Sequence, residues 1–135
     1  VYNYCKEIKE KYPEVRFDFH PHNDYDLAPG NIFASVKANL DGVHATVNGM
    51  GERAGNVPLA SVIPILKDQL QVDTSVDESK LTLVSKLVES FSGIRIPGNQ
   101  PIVGEHVFTQ CSGIHADGDQ KSNLAVLNTC LLYFG

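Results

Sequence analysis

Apolar residues recur along the first half of the chain with two alternating periods. Three segments repeat at the helical spacing of about 3.6 residues, and two short segments between them alternate strictly. The helical stripes are Val1, Cys5, Ile8 and Tyr12; Ile32, Phe33, Val36 and Leu40; and Leu59, Val62, Ile63, Leu66 and Leu70. The alternating runs hold Val15, Phe17 and Phe19, and Val43, Ala45 and Val47. Residues 1–70 are therefore predicted to follow the order α-β-α-β-α, which implies parallel strands joined by crossover helices.

Glycine and proline mark the predicted ends of these elements. Gly42 is expected to end the second helix, and Pro58 suits the first turn of the third. Pro64 is expected to kink that third helix. A polar linker is predicted over residues 71–79. A further helix is predicted over 80–93, with one apolar side made of Leu81, Val84, Val88 and Phe91.

Composition narrows the class of protein. The 135 residues fit one ordinary domain, and a net charge of -5 argues against nucleic acid or an anionic membrane as the main partner. No apolar run approaches the roughly 18 residues of a membrane-spanning helix. The cysteines Cys5, Cys111 and Cys130 are odd in number and widely spaced, which indicates free thiols in a reducing compartment. A cytoplasmic location is therefore expected. Val1 begins inside a predicted helix, which suggests a fragment of a longer protein.

Two histidines follow the first predicted strand in the stretch FHPHNDYDLA. His20 and His22 share parity with Arg16 and Asp18, so their side chains are expected on one polar face. The carboxyl ends of parallel strands are where α/β proteins bind ligands, and two imidazoles at i and i+2 can reach one cation. Alternatively, one of them caps a helix or bonds a backbone carbonyl.

The second predicted strand leads into NGMGERAGN, which contains three glycines. This composition predicts a loop with unusual dihedral angles. Asn56 lies at its end, one βα unit after His22, where its side-chain oxygen is a plausible third metal ligand. Glu52 and Arg53 are expected to pair and fix the loop. A purely structural βα turn is the alternative.

The last informative stretch is GEHVFTQCSGIHADGDQK. His115 lies between small residues and acids, where an exposed imidazole can act as an acid or base near neutral pH. Cys111 has no basic neighbour in sequence and is interpreted as a small buried hydrophobic residue. His44 and His106 are interpreted as structural.

The motifs H-P-H-N-D, N-G-M-G-E-R-A-G-N and S-G-I-H-A-D-G, in this order, resemble the acyl-CoA-condensing synthases of 2-isopropylmalate, citramalate and homocitrate. The citramalate synthase branch is the most similar, through HNDYDL, GERAGN, FSG.RI and GE.VFTQ..G.HADGD.K. The resemblance extends from residue 1 to about residue 123.

This resemblance implies an α/β fold, namely the C-terminal part of a (β/α)8 TIM barrel followed by a small helical subdomain. Residues 1–70 would hold the last βα units of the barrel, and residues 71–135 the linker and the start of the subdomain. Six earlier strands would lie outside this chain. The chain alone is therefore expected to be inactive.

The resemblance also implies a function in amino-acid biosynthesis. His20, His22 and Asn56 would bind a divalent cation (Mn²⁺, Mg²⁺ or Zn²⁺), together with an aspartate outside this chain. His115 would be catalytic and would reach the active site of a neighbouring subunit, in a homodimer with subdomain exchange. The substrates would be acetyl-CoA and a 2-oxo acid. Pyruvate is favoured as acceptor, and 2-oxoisovalerate, the acceptor of 2-isopropylmalate synthase, is the alternative.

Two positions depart from the family pattern. Asp26 replaces the glycine of H-N-D-x-G, and Ala125 replaces a tyrosine thought to act in the active site. The second departure motivates a different hypothesis, that the chain is a non-catalytic remnant or an assembly module. A lyase of the same barrel superfamily is a further alternative, against which the SGIHADG stretch argues.

Overall fold

The computed structural model describes residues 1–107 and 109 of the chain. Its helices are α1 (Tyr2–Lys11), α2 (Ala28–Lys37), α3 (Leu59–Pro64) and α4 (Leu81–Ser92), and its strands are β1 (Asp18–Phe19) and β2 (Gly42–Val43). Short 3-10 turns cover Val47–Gly49 and Glu78–Lys80, and a π-helical turn covers Ile65–Gln69. The predicted order α-β-α-β-α over the first 70 residues is confirmed.

The two strands are parallel, as the order of elements predicted. Asp18 pairs with Gly42, and Phe19 pairs with Val43. Both strands are shorter than the alternating runs, because each has only one neighbouring strand within the described residues. After β2 the chain also bends into a 3-10 turn, in which Asn48 has a φ of 57°. The predicted strand over 43–48 is therefore wrong in its second half.

The end of α2 differs from the prediction that Gly42 terminates this helix. The helix ends at Lys37, and Asn39 adopts the left-handed conformation with a φ of 61°. Asparagine enters this region more readily than most residues, so it can replace glycine after a helix. Gly42 instead lies in β2, where a Cβ atom would collide with the Asp18 carboxylate on β1.

Proline divides the third helix, as predicted. Regular α-helix stops at Pro64, and the chain continues as a wider turn in which the Leu70 N–H donates to the Ile65 carbonyl (3.1 Å). Proline lacks the N–H that would bond the carbonyl four residues earlier, and its ring crowds that carbonyl.

Two apolar clusters lie on either side of α3. The first consists of Ala28, Ile32, Val57 and Val62, against which Phe19, Val36, Val43, Ala45, Ile65 and Leu66 pack. The second consists of Ala60, Ile63, Leu81 and Val103, with Leu59 and Ile96 beside it. Helix α3 therefore joins the parallel βα unit to α4 and the segment after it.

Some predicted stripe residues lie on the surface. Phe91 is 81% exposed, so its assignment to the packed side of α4 is wrong, and the buried positions are Leu81 and Ser85. In α1 only Cys5 is buried, as a free thiol. The other two cysteines lie outside the described residues. None of the helices in the described part of the chain is long and apolar enough to span a membrane.

Asp41 connects α1 to both strands. Its carboxylate accepts hydrogen bonds from the Lys9 ammonium group (2.9 and 2.7 Å) and from the Phe17 N–H (2.9 Å). The bond from Lys9 is the main reason that the pKa of Asp41 lies below its ordinary value, and the bond from Phe17 contributes. Because the folded state favours the charged carboxylate, this stabilisation is present above the unfolded pKa of about 3.9.

We expect Asp41→Asn to lower the urea midpoint of the full-length protein at pH 7. The difference from wild type should shrink as the pH falls below about 4, since protonation then removes the same interaction from the wild type. Glu7→Gln, which removes a carboxylate from an exposed position of α1, is the control and should leave the midpoint nearly unchanged. A difference that stays constant between pH 7 and pH 3 would contradict the assignment.

Candidate metal centre

His20 and His22 lie at the start of the β1–α2 loop (residues 20–27), at the carboxyl end of β1. Their ring centroids are 5.1 Å apart and the ring planes are nearly perpendicular, at 86°. Pro21 between them is buried, so the backbone is anchored where the two side chains leave it. The structure therefore brings both imidazoles to one place, as the shared parity predicted.

The β1–α2 loop is held together by Asn23. Its side-chain oxygen accepts a hydrogen bond from the Ala28 N–H at the start of α2 (3.1 Å), and its Nδ2 donates to Asp26 (3.1 Å). Asp26 has a φ of 56°, in the region that favours glycine but also admits aspartate. Asp26 therefore adopts a backbone conformation that glycine also enters readily.

Asn56 is held beside His22 by the β2–α3 loop (residues 44–58). Val57, the next residue, is fully buried in the first apolar cluster. The Asn56 N–H donates to the Gly49 carbonyl (3.0 Å), and the Asn23 N–H donates to the Gly55 carbonyl (2.9 Å). His22 and Asn56 form an antiparallel bridge between the two loops.

The orientation of the Asn56 amide follows from its neighbours. Its Nδ2 donates to the Met50 carbonyl (3.0 Å), which also accepts a bond from the Thr46 hydroxyl (2.6 Å). A backbone carbonyl can only accept, so the NH₂ group must face Met50 and the oxygen must face away. Asn56 is 8% exposed, and its Oδ1 is buried without a partner in the described part of the chain.

Two unpaired atoms make this cluster suitable for a metal ion. His22 Nδ1 is, like Asn56 Oδ1, buried without a hydrogen-bond partner among the described residues. Such atoms are rare in folded proteins and call for an explanation, of which a bound ion is one. Neutral imidazole nitrogen and amide oxygen suit Mn²⁺ or Zn²⁺ better than Mg²⁺, which prefers oxygen alone. The donor set thus fits a divalent cation, and the role of His20, His22 and Asn56 as ligands stays a prediction.

None of the three candidate ligands is a carboxylate. Within residues 1–107 and 109, no group of three or more His, Cys, Asp or Glu side chains is arranged to hold a metal ion. The candidate donors here are two imidazoles and one amide. That a carboxylate ligand comes from outside the chain stays a prediction.

Arg53 has a second partner besides the one expected. Its guanidinium donates from Nε to one oxygen of Asp24 (2.8 Å) and from Nη2 to the other (3.0 Å). The predicted pairing with Glu52 is present as a longer ion pair, at 3.8 Å. The bonds from Arg53 hold the pKa of Asp24 below its ordinary value, and they raise the pKa of Arg53. Arg53 therefore joins the two loops in addition to its contact with Glu52 in its own loop.

His44, interpreted from sequence as structural, lies beside the candidate ligands. Its ring centroid is 5.4 Å from that of His20, and its Nε2 is 3.7 Å from an oxygen of Asp18. The pairing register of β1 and β2 explains why His44 lies beside His20. Phe19 pairs with Val43 in parallel strands, so the residues that follow them, His20 and His44, lie side by side on the same face.

The remaining candidates lie elsewhere. His115, Cys111 and Ala125 are outside the described residues. His106 packs against the backbone of Gly98, where an added Cβ would come within 2.7 Å of its ring, and its structural role stays a prediction.

Two parallel strands joined by a helix, with a polar cluster at their carboxyl ends, indicate an α/β protein, the class that binds ligands at this edge of its sheets. A family model described as HMGL-like matches residues 1–88. This is well over half of the 135 residues, and the chain belongs to the HMGL-like family. The resemblance stated from the motifs is confirmed.

Several curated proteins are similar to most of the chain. A protein of Methanopyrus kandleri with the provisional name (R)-citramalate synthase CimA is 46% identical over 117 residues, which is 86% of this chain and 23% of that protein. A homocitrate synthase of Sulfolobus acidocaldarius is 39% identical over 113 residues, 84% of this chain and 24% of that protein. 2-Isopropylmalate synthase 2 of Caldanaerobacter subterraneus is 40% identical over 122 residues, 90% of this chain and 32% of that protein. The chain thus spans about a quarter to a third of their length.

We expect Gly51→Ala to weaken the affinity of the full-length protein for Mn²⁺ by about 10- to 100-fold, the usual effect of disturbing a group that orients a ligand. An added Cβ at this position would collide with Nδ2 of Asn56 and turn the amide. Calorimetric titration with Mn²⁺ would measure the change.

Gly30→Ala is the matched control for this substitution. Gly30 lies in α2 and has nothing within 4 Å of an added Cβ. This variant should keep the wild-type Mn²⁺ affinity and gain a little thermal stability, since alanine is the better helix former. Equal affinity in both variants would rule out the amide orientation as a determinant of metal binding.

Proposed function

We propose that this chain is part of a metal-dependent synthase that condenses acetyl-CoA with a 2-oxo acid. Family membership and the names of the relatives support the reaction class. The observation that carries the proposal is the convergence of His20, His22 and Asn56 at the carboxyl ends of the parallel strands, with unpaired buried atoms on two of them. The reaction joins the methyl carbon of acetyl-CoA to the keto carbon and releases CoA after hydrolysis.

The architecture proposed for the whole protein is a (β/α)8 barrel with a helical subdomain. Residues 1–70 would form its last βα units, and residues 71–135 the linker and the start of the subdomain. The parallel strands joined by α2 support this arrangement, since this is the repeating unit of such barrels. Among the described residues β1 and β2 each pair on one side only, so their other sides could pair with the neighbouring strands of a closed barrel.

In this proposal each residue of the chain has a stated role. His20, His22 and Asn56 hold the divalent cation, which, when bound, polarises the keto group of the 2-oxo acid as a Lewis acid. The amide of Asn56, fixed by the Met50 carbonyl, presents its oxygen without rearrangement. His115 would hold or donate a proton at the oxygen that becomes negative as the carbon–carbon bond forms.

The proposed acceptor is pyruvate, on the likeness of the HNDYDL and GERAGN motifs to the citramalate branch. The alternative acceptor is 2-oxoisovalerate, because synthases with both product names occur among the relatives at similar identity. The two acids differ by two methyl groups. A pocket shaped for the methyl group of pyruvate would exclude the isopropyl group by steric conflict.

We expect the full-length protein to release CoA faster with pyruvate than with 2-oxoisovalerate, by about 10- to 100-fold in kcat/KM, the scale of selection on methyl groups. Chelation should abolish the reaction and Mn²⁺ should restore it. The release of free thiol would be followed with each acid separately. A preference for 2-oxoisovalerate would support the alternative acceptor. A folded protein that releases no CoA with any 2-oxo acid would support the non-catalytic module.

The proposed homodimer with subdomain exchange predicts complementation between two inactive variants. His22→Ala should remove most of the Mn²⁺ affinity and the activity, since the ion loses an imidazole. His115→Ala should keep the metal but lower turnover by about 10²- to 10⁴-fold, as expected for a lost acid–base group. A mixed dimer then contains one site with both histidines intact.

Random subunit exchange makes half of the dimers mixed, so about a quarter of the wild-type activity should return. The control is each variant subjected alone to the same exchange. Mixtures that stay inactive while mixed dimers are shown to form would contradict the placement of His115 across the interface. Equal loss of metal in both variants would contradict the separation of roles.

A further inference from the structure

The β1–α2 and β2–α3 loops are joined by contacts of two kinds. One is backbone contact, namely the Asn23–Gly55 hydrogen bond (2.9 Å) and the bridge between His22 and Asn56. The other is the ion pair of Asp24 with Arg53, in which two nitrogens bond two oxygens. Asp24 lies two residues after His22, and Arg53 lies three residues before Asn56. The ion pair therefore spans the gap between the segments that carry candidate ligands.

The geometry of this pair constrains distance and direction together. A guanidinium that bonds both oxygens of a carboxylate fixes the plane of the contact, which a single point charge does not do. Arg53 also has a φ of 57°, a left-handed conformation that is uncommon for a residue with a side chain. Such conformations persist where surrounding contacts hold them, and the side chain of Arg53 supplies one of these contacts.

Two other ion pairs lie apart from the two loops. Lys9 pairs with Asp41 between α1 and the turn before β2 (2.7 Å), and Lys67 pairs with Glu78 beside the linker. These pairs brace the fold at positions that carry no candidate ligand. Substitutions in these pairs therefore show the effect of losing an ion pair on the stability of the fold, without an effect on the candidate ligands.

We propose that Asp24 and Arg53 are a positioning pair that sets the separation of His22 and Asn56 and thereby the affinity of the metal site. This inference rests on the proposed function, because it assumes that these residues bind a metal ion. Neither member of the pair touches the ion or the substrates in this scheme. Their effect is exerted through the two loops, since ligand distances in metal sites are fixed within about 0.2 Å.

The test compares Arg53→Gln with Lys67→Gln in the full-length protein. Arg53→Gln should weaken Mn²⁺ binding, measured by calorimetry, by about 10- to 100-fold, the range found for groups that orient ligands. Lys67→Gln, which breaks an ion pair elsewhere, should change Mn²⁺ affinity by less than about twofold. Arg53→Lys keeps the charge but loses the bidentate contact, and it should fall between wild type and Arg53→Gln.

A second measurement needs no metal. In the metal-free protein, hydrogen exchange at the Asn23 amide, which bonds Gly55, should be faster in Arg53→Gln than in wild type and unchanged in Lys67→Gln. The double variant Asp24→Asn/Arg53→Gln should bind Mn²⁺ no more weakly than either single variant, since each single substitution already removes the same contact. If Arg53→Gln fails to fold, Arg53→Lys would be compared with wild type and Lys67→Gln in its place.

The outcomes separate this inference from the proposed function. Wild-type Mn²⁺ affinity and unchanged Asn23 exchange in both Arg53 variants would overturn the positioning pair and leave the metal site standing. A wild-type protein without a specific Mn²⁺ site would overturn the proposed function and, with it, any effect of the pair on affinity. Weaker affinity together with faster Asn23 exchange, confined to the Arg53 variants, would support the positioning pair.

Discussion

The candidate site depends on the burial of Val57 in the apolar cluster between the strands and α3. Burying a valine side chain fully stabilises a fold by roughly 1.5–3 kcal/mol, whereas exposed ion pairs contribute far less. Val57 is fully buried, and Asn56 precedes it directly, so the core itself fixes where the amide leaves the backbone. The Met50 carbonyl then fixes how the amide is turned. Hydrophobic packing of Val57 thus determines where Asn56 lies, and the hydrogen bond to Met50 determines how its amide is turned.

The backbone of the β2–α3 loop explains why its sequence is rich in glycine and asparagine. Positive φ angles occur at Asn48, Gly49, Arg53 and Gly55. At Gly55 an added Cβ would collide with the Gly49 carbonyl, the same carbonyl that accepts the Asn56 N–H. The loop therefore folds back on itself tightly enough to exclude side chains at that position. Arg53 is the exception to the pattern, and its side chain leaves the loop to reach Asp24.

The sequence alone predicted those features that depend on local periodicity and on chain order. Parity placed His20 and His22 together, and the parallel βα order placed Asn56 at the same edge of the sheet. It missed contacts that depend on the register between segments. His44 lies beside His20 only because Phe19 pairs with Val43, and Arg53 contacts Asp24 in the other loop as well as its sequence neighbour Glu52. The expectation that Phe91 packs with the rest of its apolar stripe was wrong for a related reason. Helical spacing shows which residues share a side of a helix, but not which part of that side is covered by other elements.

Helix α4 contacts the parallel βα unit at a residue close to the candidate site. Nδ2 of Asn48, in the 3-10 turn after β2, donates to the Ser85 carbonyl (2.9 Å), and Ser85 is 3% exposed. Asn48 lies in the same β2–α3 loop as Asn56, so α4 contacts the segment that orients a candidate ligand. The apolar cluster around Ala60 and Leu81 holds α4 there. The segment that follows α4 therefore starts from a point fixed relative to the candidate site.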